Sequence, residues 1–273
     1  MDLSGLANGA KVYFELSYDL PDGLVTFKNL ITQTTVSLFV STLLIIILAA
    51  VATRKLDKRR PGKLQIIAEK LVNMLYGLVE DTMGKHNAKF APYIGTLFLS
   101  SIVNTLIGMT NIFRSSTADL SVTAAWALVT TGMVWYHNIK NFGFVTWLKG
   151  FTEPIVVMTP MNIVSEIASP LSLAFRHFGN IAGGSVLTGL IYAALAGASS
   201  ALFSLIPGAV GSLLSSIPVL QVGIPAVLSI YFDLFSGFVQ ALVFSLLTMV
   251  YVGAACPPPE ELPERKPKKS KKA

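Results

Sequence analysis

The sequence predicts an all-α polytopic membrane protein with about five membrane-crossing helices, the last two long and strongly tilted, plus one amphipathic surface helix. Three observations carry this. Of 273 residues, 52% are hydrophobic and 13% charged, and the mean hydropathy is +0.62, whereas soluble chains are about a quarter charged. Apolar stretches of roughly 20 residues recur, the length that spans a bilayer core as a helix. The cations gather between these stretches. The one cysteine, Cys256, excludes a disulfide framework and a Cys-rich metal site.

The first element is the apolar run from Thr35 to Thr53, preceded by a polar stretch that lacks the pattern of a removable signal peptide. It stops at Arg54–Lys63, which holds six cations within ten residues. From Leu64 to Met83, Leu64, Ile67, Leu71, Leu75 and Leu78 recur at helical spacing among Gln65, Glu69, Lys70, Asn73 and Glu80. That is an amphipathic helix, suited to lie on the membrane surface or pack under its neighbours. Crossings follow at Phe90–Phe113 and Leu120–Ile139, the latter with Trp135 and Tyr136 at interface depth. Two long apolar stretches close the membrane domain, Met161–Ala198 and Pro218–Ala255, joined by an uncharged Gly-, Ser- and Pro-containing turn region over 197–218. Helices this long tilt, bend or extend beyond the bilayer. The organisation is thus an outer segment at 1–33, a membrane domain at 34–256, and a Pro- and Lys-rich disordered tail at 257–273.

Charge position gives orientation. The loop after the first crossing holds six Lys/Arg, the region 138–150 holds Lys140 and Lys149, and the tail holds six more, 14 of the 21 cations. With five crossings these regions share one side, so the positive-inside rule puts the N-terminus outside and the C-terminus in the cytoplasm. The net charge of +6 therefore reports orientation and attraction to a lipid bilayer surface, with no nucleic-acid partner expected. A bacterial plasma membrane fits best, ahead of an organellar inner membrane.

Between Lys149 and Arg265 the only Lys or Arg is Arg176. An arginine at membrane depth costs roughly 2.5 kcal/mol on insertion scales. Two readings stand: a side chain snorkelling to headgroups or paired with an acid, or a charge presented on a bare helix surface. Asn180 and Gly183, four and seven residues on, lie within about 40° of its face. Gly179, Gly183, Gly184 and Gly189 leave that helix nearly bare, for packing inside the chain or for an outside partner. Glu166 precedes Pro170 on the same helix. In the last helix Asp233 and Gln240, seven apart, share a face, and Asp233 is either an ion-relay carboxylate or one in water at the mouth of the helix. His177 is a second relay candidate, although a histidine on a neighbouring face is more often a local hydrogen-bond donor. Asp119 has the place of a helix N-cap. Asn104 lies in mid-helix, either lining a water path or bonding across helices.

No Walker loop, His-Glu-x-x-His, Gly-x-Ser-x-Gly or ligand-spaced histidine set occurs. No catalytic residues, cofactor or metal are expected. The chain is not an enzyme on its own. A rotor-independent secondary transporter or ion channel is the alternative function, but it would predict internal repeats between the two halves.

Pro170-Leu-Ser-Leu-Ala-Phe-Arg176-x-Phe-Gly-Asn180-Ile-x-x-Gly resembles the signature of subunit a of F-type ATP synthases. So do Thr117-Ala-Asp119-Leu-Ser-Val-Thr123, and Gln240-Ala-x-x-Phe244-x-Leu-Leu-Thr248-x-Val-Tyr251. The three occur in the family's order and cover most of Phe90–Ala255. The resemblance implies an ion-translocating stator that faces a rotating ring of c subunits, with b-type peripheral stalk and other ATP synthase subunits as further partners. Arg176 would be the essential arginine, Asn180 its polar neighbour and Gln240 its partner on the last helix. Two aqueous half-channels would carry protons or sodium ions to and from the ring carboxylate. Opposite a fixed arginine that carboxylate is favoured ionised, by about 4 kcal/mol at about 4 Å and an effective dielectric of about 20. The chain departs from the family pattern at Ser185, where glutamate is common, and at Asp233, where histidine or glutamate is. It departs also at Ser169, often lysine, and at His177, usually apolar. Asp233 would then serve alone as the channel carboxylate at its level.

Overall fold

The structure, a computed structural model, describes residues 12–14, 31–54, 56–57, 61–110, 112–153, 155–204 and 230–261. Most of the expected tail, most of the outer segment and most of the 197–218 connection lie outside the described residues; the start of the tail holds a 3₁₀ turn, Pro259–Glu261. Two short strands come first, β1 (Val12–Phe14) and β2 (Ile31–Thr32), paired antiparallel with a bulge. No periodicity in the sequence announced them. Thr32 then caps α1 (Gln33–Thr53), its hydroxyl accepting from the Thr35 N–H at 3.3 Å.

The amphipathic segment folds as α2 (Lys63–Met83), ending at Gly84 with φ +83°, a left-handed backbone that favours glycine. Its Leu75, Val79 and Met83 are buried while Leu64 and Ile67 are exposed, so the C-terminal half packs under the bundle. A 3₁₀ stretch, Lys85–Phe90, leads into α3 (Ala91–Met109). After a 3₁₀ turn at Ser116–Ala118 come α4 (Leu120–Phe142) and the short α5 (Phe144–Gly150), entered through Gly143 at φ +88°.

The long helix is α6 (Thr159–Ser204), 46 residues with Pro170 inside. The turn expected from Gly197 does not begin there, because the helix runs on to Ser204. Ser200 and Ser204 donate back to the Gly197 and Ala201 carbonyls at 2.9 and 2.8 Å, and serines so bonded are tolerated in a helix. The last expected helix is also not one uniform element. Its described part is a π-helical turn, Ile230–Phe235, followed by α7 (Ser236–Ala255).

Among the described residues, four helical stretches suit a membrane crossing by length and composition: Gln33–Thr53, Lys85–Met109, Val156–Ser204 and Ser236–Ala255. The fifth expected crossing, α4, has 23 residues, about 35 Å at helical rise, but a more polar composition, with Thr123, Thr130, His137 and Asn138. α7 is the axis of the bundle, packing on α2, α3, α4 and α6. Its Met249 and Val252 meet Val79, Phe90 and Ile94, and its Ala241 meets Leu75 and Phe98. Its Phe244 meets Leu97, Ala127, Leu173 and Ala174. Its C-terminal carbonyls are held by side chains from two other segments. Asn87 Nδ2 donates to Cys256 O at 2.8 Å, Asn141 Nδ2 donates to Ala255 O at 2.9 Å, and His86 Nε2 lies 2.9 Å from Cys256 O. α6 is peripheral: only 6% of its most apolar stretch is buried, against 56% for the α3 segment.

Candidate functional site

The peripheral position of α6 decides how Arg176 is presented. Its side chain is exposed, while His177, the next residue and 100° around the helix, is 0% exposed. Gly179 and Gly183 flank the arginine along the chain, and a Cβ added at either meets nothing within 4 Å. These glycines do not serve tight packing inside the chain. They leave an open, smooth strip beside a charge. By contrast, a Cβ on Gly237 of α7 would collide with the Thr105 side chain of α3, which is what close packing inside this chain looks like.

Asn180, half-buried, turns from the open face toward α7. Ser236 Oγ donates to its Oδ1 at 2.8 Å, and its Nδ2 donates to the Ser236 carbonyl at 3.3 Å. Gln240, one turn along α7, is 5% exposed and its Nε2 has no hydrogen-bond partner. Buried amide groups are rarely left so. His177 occupies the other side of the junction. Its Nε2 lies 3.2 Å from Ser101 Oγ of α3, its Nδ1 has no partner, and its ring packs on Trp126 of α4 and Phe244 of α7 at 6.0 and 5.2 Å between centroids. It therefore faces the bundle interior, away from the surface that carries Arg176.

Asp233 belongs by backbone to the π-helical turn, a widened turn that interrupts the seven-residue relation to Gln240. Its side chain lies outside the described residues. Ser185 is exposed, and its hydroxyl donates back to the Ala182 carbonyl at 2.8 Å. Glu166 accepts a hydrogen bond from Trp135 Nε1. It lines a cavity of about 210 Å³ with Thr130, Asn138, Ser169, Pro170 and Tyr251, among α4, α6 and α7.

At the other end of the bundle Asp119 caps α4 as its position suggested. Its Oδ1 accepts from the Ser121 N–H at 3.0 Å and from Ser121 Oγ at 2.7 Å, and its Oδ2 accepts from Thr34 Oγ1 of α1 at 2.9 Å. Burial alone would raise this carboxyl's pKa. The Ser121 bonds foremost, then Thr34 and the nearby Arg114 charge, outweigh burial and hold it below the usual range. Asn104 is buried and bonds within its own neighbourhood: Nδ2 donates to Ser100 O at 2.8 Å, and Oδ1 accepts from Ser116 Oγ at 2.6 Å. Of the two readings of Asn104, the structure gives a hydrogen-bonded one, to the turn that follows its own helix.

Ser236, Ser101 and Thr34 were not singled out in the sequence as polar partners, and Trp135 was read there only as an interface residue. Ser236 alone left a signal, standing four residues before Gln240 and so one turn from it on the same face. The other three pair with residues 31 to 85 positions away, a separation no local pattern encodes.

Comparison with known sequences now decides the family. Residues 35–253 match the model of the ATP synthase A chain family. The chain belongs to that family. It is similar to the sodium-ion-specific ATP synthase subunit a of Propionigenium modestum, 31% identical with 88% of this chain and 78% of the relative covered. ATP synthase subunit a 1 of Crocosphaera subtropica is 32% identical over 78% of this chain and 82% of its own length. Subunit a of Bacillus subtilis is 31% identical over 78% and 87%. As a member of the subunit a family, the chain is a non-catalytic, ion-translocating membrane component of an ATP synthase. This replaces a rotor-independent transporter as the frame for the Arg176 surface.

Proposed function

We propose that the open face of α6 is where this subunit meets a ring of c subunits, and that Arg176 is the fixed charge that makes each ring carboxylate release its ion. The observation that carries the reading is an exposed arginine beside two glycines whose Cβ directions are empty. A cation offered on a strip without side chains lets a passing helix come close and lets the ion pair form and break. It also bars ions from leaking directly between two half-channels.

In this reading Asn180 and Gln240 form the polar junction behind the arginine, and Asp233 and Ser185 line the outer half-channel. Glu166, on a cavity with Thr130, Asn138 and Ser169 in its wall, stands at the inner one. Asn104 and Asp119 support the outer end. The N-terminus lies outside and the basic tail in the cytoplasm of a bacterial cell, with b-type stalk subunits holding the chain against the rotor. The translocated ion, proton or sodium, is set by the ring.

The deciding experiment is Arg176→Ala in the assembled complex. Ion-driven ATP synthesis is expected to vanish while subunit content stays normal; retained coupling would overturn the reading.

A further inference from the structure

His177 stands where the family usually has an apolar residue, and the function above gives it no task. Its surroundings supply one. Along the 46 residues of α6 only Leu173, Ala174, His177, Gly184 and Ser199 are buried. Near the arginine this leaves three. Measured around the helix from Arg176, Leu173 lies at about 60°, His177 at about 100° and Ala174 at about 160°. His177 is therefore the centre of the buried arc, and a roll of one residue step would carry Arg176 into its place.

What resists such a roll is unevenly distributed. Leu173 and Ala174 are apolar and offer no directional contact, and the outer strip at Gly179 and Gly183 touches nothing within this chain. The Asn180–Ser236 pair holds α6 to α7 from one side only. Glu166 ties α6 to Trp135 of α4 nearly three turns before the arginine, whereas beside the arginine the His177 ring joins a hydrogen bond to ring contacts from three helices: Ser101 on α3 through Nε2, Trp126 on α4 and Phe244 on α7. Among the described residues, the side chains that touch it from these helices, Ser101, Trp126 and Phe244, are all uncharged. Its part is directional, not ionic.

We infer that His177 is a positioning residue that fixes the roll of α6 and thereby the direction in which Arg176 points. The functional consequence rests on the role proposed above for Arg176; the roll itself does not.

The test has two arms. In the assembled complex, His177→Leu and Ser101→Ala are each expected to lower ATP-driven ion pumping per complex about three- to ten-fold. They should also raise passive ion leak through the membrane sector stripped of its catalytic head. The double variant should be no worse than the poorer single one, since one contact is lost in each case. His177→Gln, which keeps an N–H for Ser101, should return pumping to within about two-fold of the parent. A purely structural role would reduce the amount of complex and leave pumping per complex unchanged. Unchanged pumping in His177→Leu, or a loss that His177→Gln fails to restore, overturns the inference.

The second arm reads roll directly in the full-length chain, in a Cys256→Ser background. Ala174→Cys, at a site 2% exposed, is expected to resist maleimide in the parent and to label at least five-fold faster with His177→Leu. No change in labelling sinks the inference whatever the first arm gives. If labelling shifts while Arg176→Ala retains coupling, the roll stands and the role of the arginine falls.

Discussion

Asn180 and Ser236 clasp each other through two hydrogen bonds, one to the serine hydroxyl and one to its carbonyl, and so join α6 to the first residue of α7. The clasp sits one helical turn from Arg176 on α6 and one turn from Gln240 on α7. Side chains that share one contact lose it once. Asn180→Ala and Ser236→Ala are each expected to destabilise the complex by about 1 kcal/mol, with the double variant well short of the sum. Thermal stability of the four species in a double-mutant cycle checks this. Strict additivity would mean that the two residues act separately.

Asp119 offers a pH-dependent prediction. A carboxyl whose folded pKa is held below its unfolded value stabilises the fold at neutral pH, and the stabilisation is lost as pH falls through the folded value. Hydrogen bonds from Ser121 and Thr34 outweigh burial and set that direction. Asp119→Ala should therefore lower stability at pH 7, by about 1 kcal/mol for a helix cap. Mutant and parent should converge below the usual carboxylate range. Unfolding followed from pH 7 to pH 3 tests it; a gap that persists in acid would refute the cap's ionic character.

The glycines of α6 and α7 should behave oppositely. Gly183→Ala meets open space and gains helix propensity, up to about 1 kcal/mol, so the isolated chain should be no less stable. The same methyl stands on the surface proposed for the ring, and coupled ATP synthesis should fall several-fold. Gly237→Ala forces Thr105 to move and should destabilise the chain by about 1–3 kcal/mol. Paired measurements of melting temperature and ion-driven synthesis separate the two; a stability loss in Gly183→Ala would contradict the open-face geometry.

The helices whose apolar residues recur at 3.6-residue spacing were legible in the sequence, and α2 over Lys63–Met83 matches its reading within one residue. The cap at Asp119 was legible too, because capping is a local bond to an N–H two residues on. Other features had no local signal. The π-helical turn contains neither glycine nor proline, and β1 and β2 are too short to show alternation. Gly197 with its serines suggested a turn, yet the α-helix continued, with Ser199 buried and Ser200 and Ser204 bonded to backbone oxygens. For the site, spacing placed Arg176, Asn180 and Gly183 together correctly. It could not say which way that face points. Periodicity fixes angles within a helix, whereas the roll of the helix against its neighbours comes from partners such as Ser101 and Phe244, far away in sequence.

The capped end of α7 has a mechanical meaning. Asn87, Asn141 and His86 hold the Ala255 and Cys256 carbonyls, so an axial slip of one residue would break several hydrogen bonds together. The opposite end begins in a widened turn, whose spacing is less strict. α7 is thus a lever with its pivot at Cys256 and its far end, at Ser236, linked to α6 through Asn180. Gln240 rides about 24 Å from the pivot, at sixteen residues of helical rise. A tilt of a few degrees at the anchored end shifts Gln240 and Ser236 sideways by more than an ångström while the contacts at the pivot stay intact.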